Sequence, residues 1–142
     1  MKLVAHLLDH KGREVWWIHP TASVYEALQL MADKNIGALL VLEGDRPVGI
    51  FSERDLARKV ALAGREPGTT PVQEIMTTRV VGVGPEDTVD QCMALMTNRR
   101  VRHLPVVEDG RVVGIVSIGD VVKAVIDSQE EIIQQLERYI TS

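Results

Sequence analysis

Residues 99–122 read RRVRHLPVVEDGRVVGIVSIGDVV, and this stretch decides the fold. Two runs rich in valine flank Asp109-Gly110, a pair that readily adopts the positive φ angles of a tight hairpin turn. The second run continues through Gly114 and Ser117 to Asp120, where a helical pattern begins. The stretch therefore predicts a strand, a turn, a second strand and a helix.

The same pattern occurs once before in the chain. The heptad GIFSERD at residues 49–55 matches GIVSIGD at residues 114–120, an offset of 65 residues. The offset extends over residues 20–55 and 85–120, so it reflects an internal duplication that should govern the whole fold. Identical residues at this offset include Pro20 and Pro85, Val24 and Val89, Leu39 and Leu104, Glu43 and Glu108, and Arg46 and Arg111.

Each repeat predicts the order β-α-β-β-α. The first helix of each repeat begins with a capping box, Ser23-x-x-Glu26 in one and Thr88-x-x-Gln91 in the other. Short strands are expected at 14–18 and 80–83. Short helical segments are expected at 4–8 and 72–76. We predict an α/β (α+β) fold in which two pseudo-twofold repeats pack sheet to sheet and leave two related clefts. The expected units are residues 1–62, a linker at 63–71, residues 72–127 and a C-terminal helical extension at 128–142.

Composition limits the class of protein. The 142 residues are 45% hydrophobic with a net charge of −4, as in an ordinary soluble globular protein without a basic field for nucleic acid or anionic membranes. We expect no transmembrane helix, because no apolar run is long enough. A missing signal-peptide pattern and a single cysteine, Cys92, favour the reducing cytoplasm, and Cys92 is expected to be a small core residue.

The second repeat differs from the first at its C-terminal end. No glycine or proline follows Asp120, so the helix is expected to continue to the end of the chain. Apolar residues recur along it at helical spacing. Two interpretations remain open, a helix folded back on its own module and a helix that pairs with a second copy in a homodimer. The apolar residues are Val122, Val125, Ile126, Ile132, Ile133, Leu136 and Ile140.

These features together resemble a tandem pair of cystathionine β-synthase (CBS) domains, a Bateman module of the stand-alone bacterial or archaeal type. The resemblance covers about residues 1–127 and depends on both heptads and on the run His103-Leu-Pro-Val-Val. It implies a non-enzymatic module that senses an adenosine ligand, commonly AMP, ADP or ATP and sometimes S-adenosylmethionine or a dinucleotide. It also implies regulation of an attached or partner protein, whose identity the sequence does not give.

The heptads contain suitable ligand-binding groups. The carboxylates of Asp55 and Asp120 suit the vicinal hydroxyls of ribose, and each lies near a helix N-terminus that favours phosphate. Ser52 and Ser117 are candidates to bond phosphate or ribose. The alternative is that serine and aspartate only cap the helix. Two copies at one offset favour ligand binding, because capping alone does not need the whole heptad.

The repeats differ where phosphate would bind. By resemblance, Arg102 and His103 occupy positions that contact phosphate in the family, whereas the first repeat has Gly37 and Ala38 there. The first repeat instead carries Arg54, another candidate. The resemblance also places Thr77 and Thr78 opposite Asp55, and Lys11 and Gly12 opposite Asp120. Candidate apolar walls for adenine are Ile36, Val101, Leu104, Pro105 and Ile115.

Other classes of function have weaker support. His6 and His10 are four residues apart, but a metal site needs further ligands, and no nucleophile or phosphate-loop motif occurs. A nucleic-acid binder using Arg99, Arg100 and Arg102 would need stacking aromatics, of which the chain has few. A purely structural dimerisation adaptor with vestigial clefts remains the third alternative.

Overall fold

The computed structural model describes residues 2–141. It has the predicted mixed α/β architecture, with two hairpins, small sheets and a long C-terminal helix. A π-helical segment, Leu56–Ala61, continues the third helix, and a 3-10 turn lies at Val72–Glu74. The helices are α1 Val4–Lys11, α2 Val24–Lys34, α3 Glu53–Asp55, α4 Val89–Arg99 and α5 Ile118–Thr141; the strands are β1 Trp17–Ile18, β2 Ala38–Glu43, β3 Arg46–Ser52, β4 His103–Glu108 and β5 Arg111–Ser117.

The two hairpins are equivalent in register. Strand β2 pairs antiparallel with β3 and β4 with β5, so that Leu40 lies opposite Ile50 and Pro105 opposite Ile115. The second hairpin turns at Asp109-Gly110 with φ angles of 55° and 77°, which confirms the predicted turn. Strands β3 and β5 also contact each other, so the two sheets meet as the repeat predicts.

The strand expected at the start of each repeat is much shorter than predicted. In the first repeat only Trp17–Ile18 pairs, parallel to β2. In the second repeat the prediction of a strand at 80–83 is wrong, since the pairing is a single bridge between Val83 and Val106. Gly82, Gly84 and Pro85 surround Val83, and such residues limit a strand because they lack side chains to pack or a backbone donor.

Each hydrophobic core is completed by a short segment from the other repeat. Val4, Leu7 and Leu8 of α1 pack into the core of the second repeat. Val72 and Ile75 pack into the core of the first. Sequence periodicity predicted both segments as helical but did not indicate this exchange, because an apolar face does not specify its partner.

Backbone hydrogen bonds fix the exchanged segments. Val4 N donates to Asp87 O at 2.8 Å, and Val89 N donates to Lys2 O at 3.0 Å. The same arrangement recurs in the other half, where Val24 N donates to Thr70 O at 2.9 Å. The pseudo-twofold relation therefore includes the exchange as well as the hairpins.

The heptad glycines make room for the exchanged segments. A Cβ atom on Gly114 would lie 2.6 Å from Leu8 Cδ2, and one on Gly49 would lie 2.5 Å from Met76 Sδ. Real Cβ atoms do not approach other atoms this closely, so a side chain at either position would displace its neighbour. The first residue of each heptad is thus explained by packing, independently of any ligand.

The predicted helix starts and core residues are confirmed. Glu26 N donates to Ser23 Oγ at 3.1 Å, and Thr88 and Gln91 exchange two hydrogen bonds at the start of α4. Cys92 is a free, fully buried cysteine. Burial and the nearby charge of Asp87 raise the pKa of the Cys92 thiol to about 11, which suits a core residue rather than a reactive thiolate.

Helix α5 extends beyond the cores. Its first turns are anchored by Val121 and Ala124, which are buried. Farther along, Ile132 and Leu136 are each 56% exposed, so within the described chain this helix does not fold back on its own module. Among residues 2–141, no helix is both long and apolar enough to cross a membrane.

Candidate ligand-binding site

A carboxylate lies just past the end of each second hairpin strand, at the first turn of the helix that follows. In the first repeat, Ser52 N donates to Asp55 Oδ2 at 3.0 Å and Asp55 N donates to Ser52 Oγ at 3.2 Å. In the second, the equivalent distances between Ser117 and Asp120 are 2.8 and 3.2 Å. Both Ser-x-x-Asp motifs are therefore genuine capping boxes, and any role in ligand binding is additional to capping.

The carboxylate of Asp55 is buried and heavily hydrogen-bonded. Besides its bonds to Ser52, Oδ1 accepts a hydrogen bond from Thr77 Oγ1 at 3.3 Å and pairs with Lys59 Nζ at 2.9 Å. The same ammonium donates to Ile75 O at 3.1 Å. The side chain of Asp55 retains only 9% of its exposure, so this group is enclosed by its own partners.

The carboxylate of Asp120 has a different environment. Its countercharge is Lys11, whose Nζ lies 2.6 Å from Asp120 Oδ2 and donates to Ile115 O at 2.8 Å. The side chain of Asp120 is 24% exposed. Lys11 ends helix α1, so the exchanged segment of the first repeat brings a cation to the second repeat's carboxylate.

Basic groups gather around Asp120. His103 begins β4 and pairs in register with Ser117. Burial lowers the pKa of His103, the charges of Lys11 and Arg102 lower it further, and the charge of Asp120 opposes them. Three basic side chains and one carboxylate therefore share this end of the β4–β5 hairpin. The backbone of Arg102 is held here because Ile118 N donates to its carbonyl at 2.8 Å.

Asp120 is held in its charged form. Burial opposes ionisation, but hydrogen bonds from Lys11 and Ser117, together with the charge of Lys11, outweigh it and lower the pKa of Asp120 below its ordinary value. A carboxylate at neutral pH accepts hydrogen bonds and donates none, which suits a partner with hydroxyl groups.

The other predicted residues lie at the edges of these two clusters. Gly12 has φ +100°, and its N–H donates to Leu8 O at the end of α1, so it turns the chain directly after Lys11. Thr78 is exposed, beside Thr77. Arg54 is also exposed, and no ion pair reaches it from within residues 2–141.

The residues predicted to contact adenine range from half-buried to fully buried. Ile36 is half-buried and lines a surface groove of about 560 Å³ with Gly37, Glu53 and residues of α2. Val101 is half-buried and packs on the second core. Pro105 is buried in β4, where its carbonyl accepts a hydrogen bond from Val83 N. Of the predicted walls, Leu104 is fully buried and Ile115 is half-buried.

Sequence reasoning missed Lys59, which contacts Asp55. Its counterpart at the 65-residue offset is Ala124, so the repeat pattern does not indicate Lys59. The four-residue spacing from Asp55 was the available signal, because side chains at i and i+4 meet on one helix face. The weak metal candidate His6 has a local explanation, since its Nδ1 accepts a hydrogen bond from Leu3 N at 3.1 Å.

Comparison with known proteins agrees with this architecture. The family model for the CBS domain matches residues 10–62 and 72–127. The chain is 39% identical to the mitochondrial CBS domain-containing protein CBSX3 of Arabidopsis thaliana, over 96% of this chain and 71% of that protein.

Several solved structures are similar over most of the chain. A protein with CBS domains from Burkholderia ambifaria MC40-6 is 50% identical with a TM-score of 0.86, covering 90% of this chain and 96% of that one. The CBS domain pair of protein MJ0100, solved with 5′-methylthioadenosine and S-adenosyl-L-methionine, is 28% identical with a TM-score of 0.78, covering 90% and 98%.

A further neighbour, the hexameric CBS-CP12 protein of bloom-forming cyanobacteria, is 32% identical with a TM-score of 0.75, covering 84% and 66%. The family model matches both repeats, and the similar structures cover most of the chain. The chain belongs to the CBS-domain family and carries a pair of CBS domains of the kind found in regulatory modules.

Proposed function

We propose that this CBS pair senses an adenine nucleotide, AMP, ADP or ATP, in the cleft at Asp120 and relays its occupancy to a partner protein. The observation that carries the proposal is a cluster at one end of the β4–β5 hairpin. There Lys11 pairs with the ionised, half-buried carboxylate of Asp120, and the charges of Lys11, Asp120 and Arg102 all act on His103. A single negative group among three basic ones suits a ligand that has both hydroxyls and phosphates. The adenosine ligands in the MJ0100 structure support the class of ligand.

The ribose binds at Asp120 in this proposal. Its carboxylate is fixed by the capping box and kept ionised, so it accepts hydrogen bonds from the 2′- and 3′-hydroxyls. Ser117 adds a hydroxyl at the same junction. Hydrogen bonds to a charged group contribute about 1.5–3 kcal/mol each.

The phosphates bind the basic groups of the same cleft. Lys11, followed by Gly12, comes from the exchanged helix, His103 is the first residue of β4 and Arg102 directly precedes it. The N-terminus of α5 adds a favourable helix dipole. Adenine is placed against the apolar residues predicted for it, all of which except Ile36 belong to this repeat.

Calorimetry with AMP, ADP, ATP, S-adenosylmethionine and NAD tests the function. At least one ligand should bind saturably in the micromolar range, which corresponds to about −8 kcal/mol. Asp120→Asn should lower the affinity for that ligand at least tenfold. The absence of any binding across the panel by folded protein would refute the proposal, and a shift of RNA at physiological salt would favour the nucleic-acid alternative instead.

Arg102 tests the phosphate assignment. Replacing Arg102 by Ala should lower the affinity for ATP by a larger factor than the affinity for adenosine, because only ATP offers phosphates to the guanidinium. Arg100→Ala is the matched control, since Arg100 is exposed at the C-terminal cap of α4. Equal losses for both ligands would place Arg102 outside the phosphate site.

We further propose that the module is a homodimer whose copies meet along α5. Ile118, Val122, Ile126, Ile133 and Leu136 are 38–56% exposed on this helix. Their spacing places them on one side of the helix over its length. A strip of this size is seldom left in water by a monomer, and the hexameric neighbour shows that CBS proteins of this fold associate. A twofold interface would let ligand in one copy bias the other.

Sedimentation of the full chain tests the dimer. Leu136→Glu should raise the dimer dissociation constant at least tenfold, because it places a charge in the strip. Gln134→Glu is the matched control, since two residues along a helix lie on nearly opposite sides. A wild-type protein that sediments as a monomer at micromolar concentration, with and without nucleotide, would refute the homodimer.

We place this function in the cytoplasm. The proposed ligands are soluble intracellular metabolites, and the free, buried thiol of Cys92 suits a reducing compartment. Fractionation of cells that express the full chain tests the location.

A further inference from the structure

We propose that Lys59 excludes ribose from Asp55, so that each chain binds one adenosine ligand, at Asp120. The inference rests on the proposed function and assigns its site to one of two related clefts. It identifies Lys59 as the specificity-determining residue, although neither heptad contains it.

The acceptor positions of the Asp55 carboxylate are filled by the protein itself. A carboxylate has two oxygens with about four lone-pair positions in total. Here Oδ2 accepts from Ser52 N at 3.0 Å and Ser52 Oγ at 3.1 Å, while Oδ1 accepts from Thr77 Oγ1 at 3.3 Å and contacts Lys59 Nζ at 2.9 Å. All positions are used by the protein itself, so ribose would have to displace a bond already made.

Asp120 is occupied on one side only. Its hydrogen bonds from Lys11 Nζ and Ser117 N both fall on Oδ2. Within residues 2–141 no hydrogen bond or ion pair reaches Asp120 Oδ1. A pair of ribose hydroxyls therefore has an acceptor here without the loss of an internal bond, and the carboxylate is also more exposed than that of Asp55.

The two lysines reach their carboxylates from different parts of the chain. Lys59 lies one helical turn after Asp55 and also donates to Ile75 O at 3.1 Å. It is therefore bound to its carboxylate through a single helix and anchored to the exchanged segment as well. Lys11 reaches Asp120 from the last residue of α1, next to Gly12. Its ammonium is also held by Ile115 O at 2.8 Å, but its contact with the Asp120 carboxylate involves Oδ2 alone.

The second repeat has no internal cation at the position of Lys59. Ala124 stands there and is 3% exposed. Both clefts thus neutralise an aspartate with a lysine, but only the first does so with a lysine of the same helix. This difference makes the first carboxylate a structural group and leaves the second one available.

The experiment counts ligands per chain. Native mass spectrometry and calorimetry of the full chain with AMP and with ATP should give one nucleotide per chain. Asp120→Asn should weaken binding at least tenfold, and Asp55→Asn should change it less than threefold. Two equivalent nucleotides per chain, or a loss for Asp55→Asn equal to that for Asp120→Asn, would overturn the inference while leaving the proposed function intact. No binding at all would overturn both.

A gain-of-binding variant tests the role of Lys59 directly. Lys59→Gln removes the cation and should admit a second, weaker nucleotide per chain, whereas Lys59→Arg, the matched control, should still bind one. Circular dichroism on each variant verifies folding. A folded Lys59→Gln protein that binds one nucleotide per chain would overturn Lys59 as the excluding residue.

Discussion

The clefts at Asp55 and Asp120 are built from one heptad but have different electrostatics. In both, a serine and an aspartate close the same capping box between a strand and a helix. Asp55 is then enclosed by Lys59 and Thr77, whereas Asp120 remains partly exposed beside Lys11. The duplication thus retains the hydrogen bonds that the fold needs at each junction, and the countercharges around them have diverged.

The largest expected effect concerns the glycines behind the two clefts. Gly114→Ala should lower the free energy of unfolding by about 1–3 kcal/mol, because the new Cβ would meet Leu8, which is 1% exposed and has no room to move. Gly49→Ala should lower it by a similar amount, because its Cβ would meet Met76 Sδ at 2.5 Å and the backbone carbonyl oxygen of Thr77 at 3.0 Å. Urea denaturation of the two variants compares the halves.

The control for this pair is Gly110→Asn, at a turn where an added Cβ has open space and where asparagine tolerates a positive φ. It should leave stability nearly unchanged. Destabilisation by only one of Gly114→Ala and Gly49→Ala would mean that the two exchanged segments do not pack equally closely, contrary to the structure.

The next effect distinguishes the two lysines. Lys59→Met should lower the free energy of unfolding by about 1–2 kcal/mol, because Asp55 would remain buried without its countercharge. Lys11→Met should cost less, since water reaches Asp120. Thermal or urea unfolding at pH 7 measures both. A larger loss for Lys11→Met would show that the exchanged helix, rather than the internal pair, carries the electrostatic stabilisation.

The smallest effect is a pH dependence confined to the second cleft. Because the pKa of His103 lies below its ordinary value of 6.5, the unfolded chain takes up the proton first as pH falls. Stability should therefore decrease as pH drops below about 7, until the folded-state pKa is passed. His103→Gln should flatten this slope in urea unfolding between pH 7.5 and 5. His10→Gln, an exposed histidine, should leave the slope unchanged, and an equal flattening would refute the assignment.

Much of this architecture could be predicted from the sequence. The 65-residue offset, the Asp109-Gly110 turn and the capping boxes are local signals, and local backbone chemistry determines what they form. The position of Lys11 near Asp120 followed from the family resemblance. The exchange of α1 and the 72–76 segment could not be predicted, because an apolar face indicates burial and does not indicate which of two similar cores receives it.

The clefts were harder to predict than the fold. The repeat pattern indicates residues that both repeats share, and it cannot indicate Lys59, whose counterpart in the second repeat is Ala124. The repetition of the whole heptad, glycines included, favoured ligand binding in the sequence, whereas the close approach of Leu8 and Met76 accounts for the glycines. Both cases depend on contacts between residues far apart in the chain, for which the sequence contains no local signal.

The exchange of segments also has a consequence for the order of events during synthesis. Val4 is hydrogen-bonded to Asp87, and Leu8 packs beside Gly114. The apolar face of α1 therefore emerges from the ribosome long before its partners exist, and it stays unsatisfied until the second hairpin has been translated. Such non-local pairing slows folding, so the growing chain exposes this face to chaperones and to other nascent chains over most of its translation.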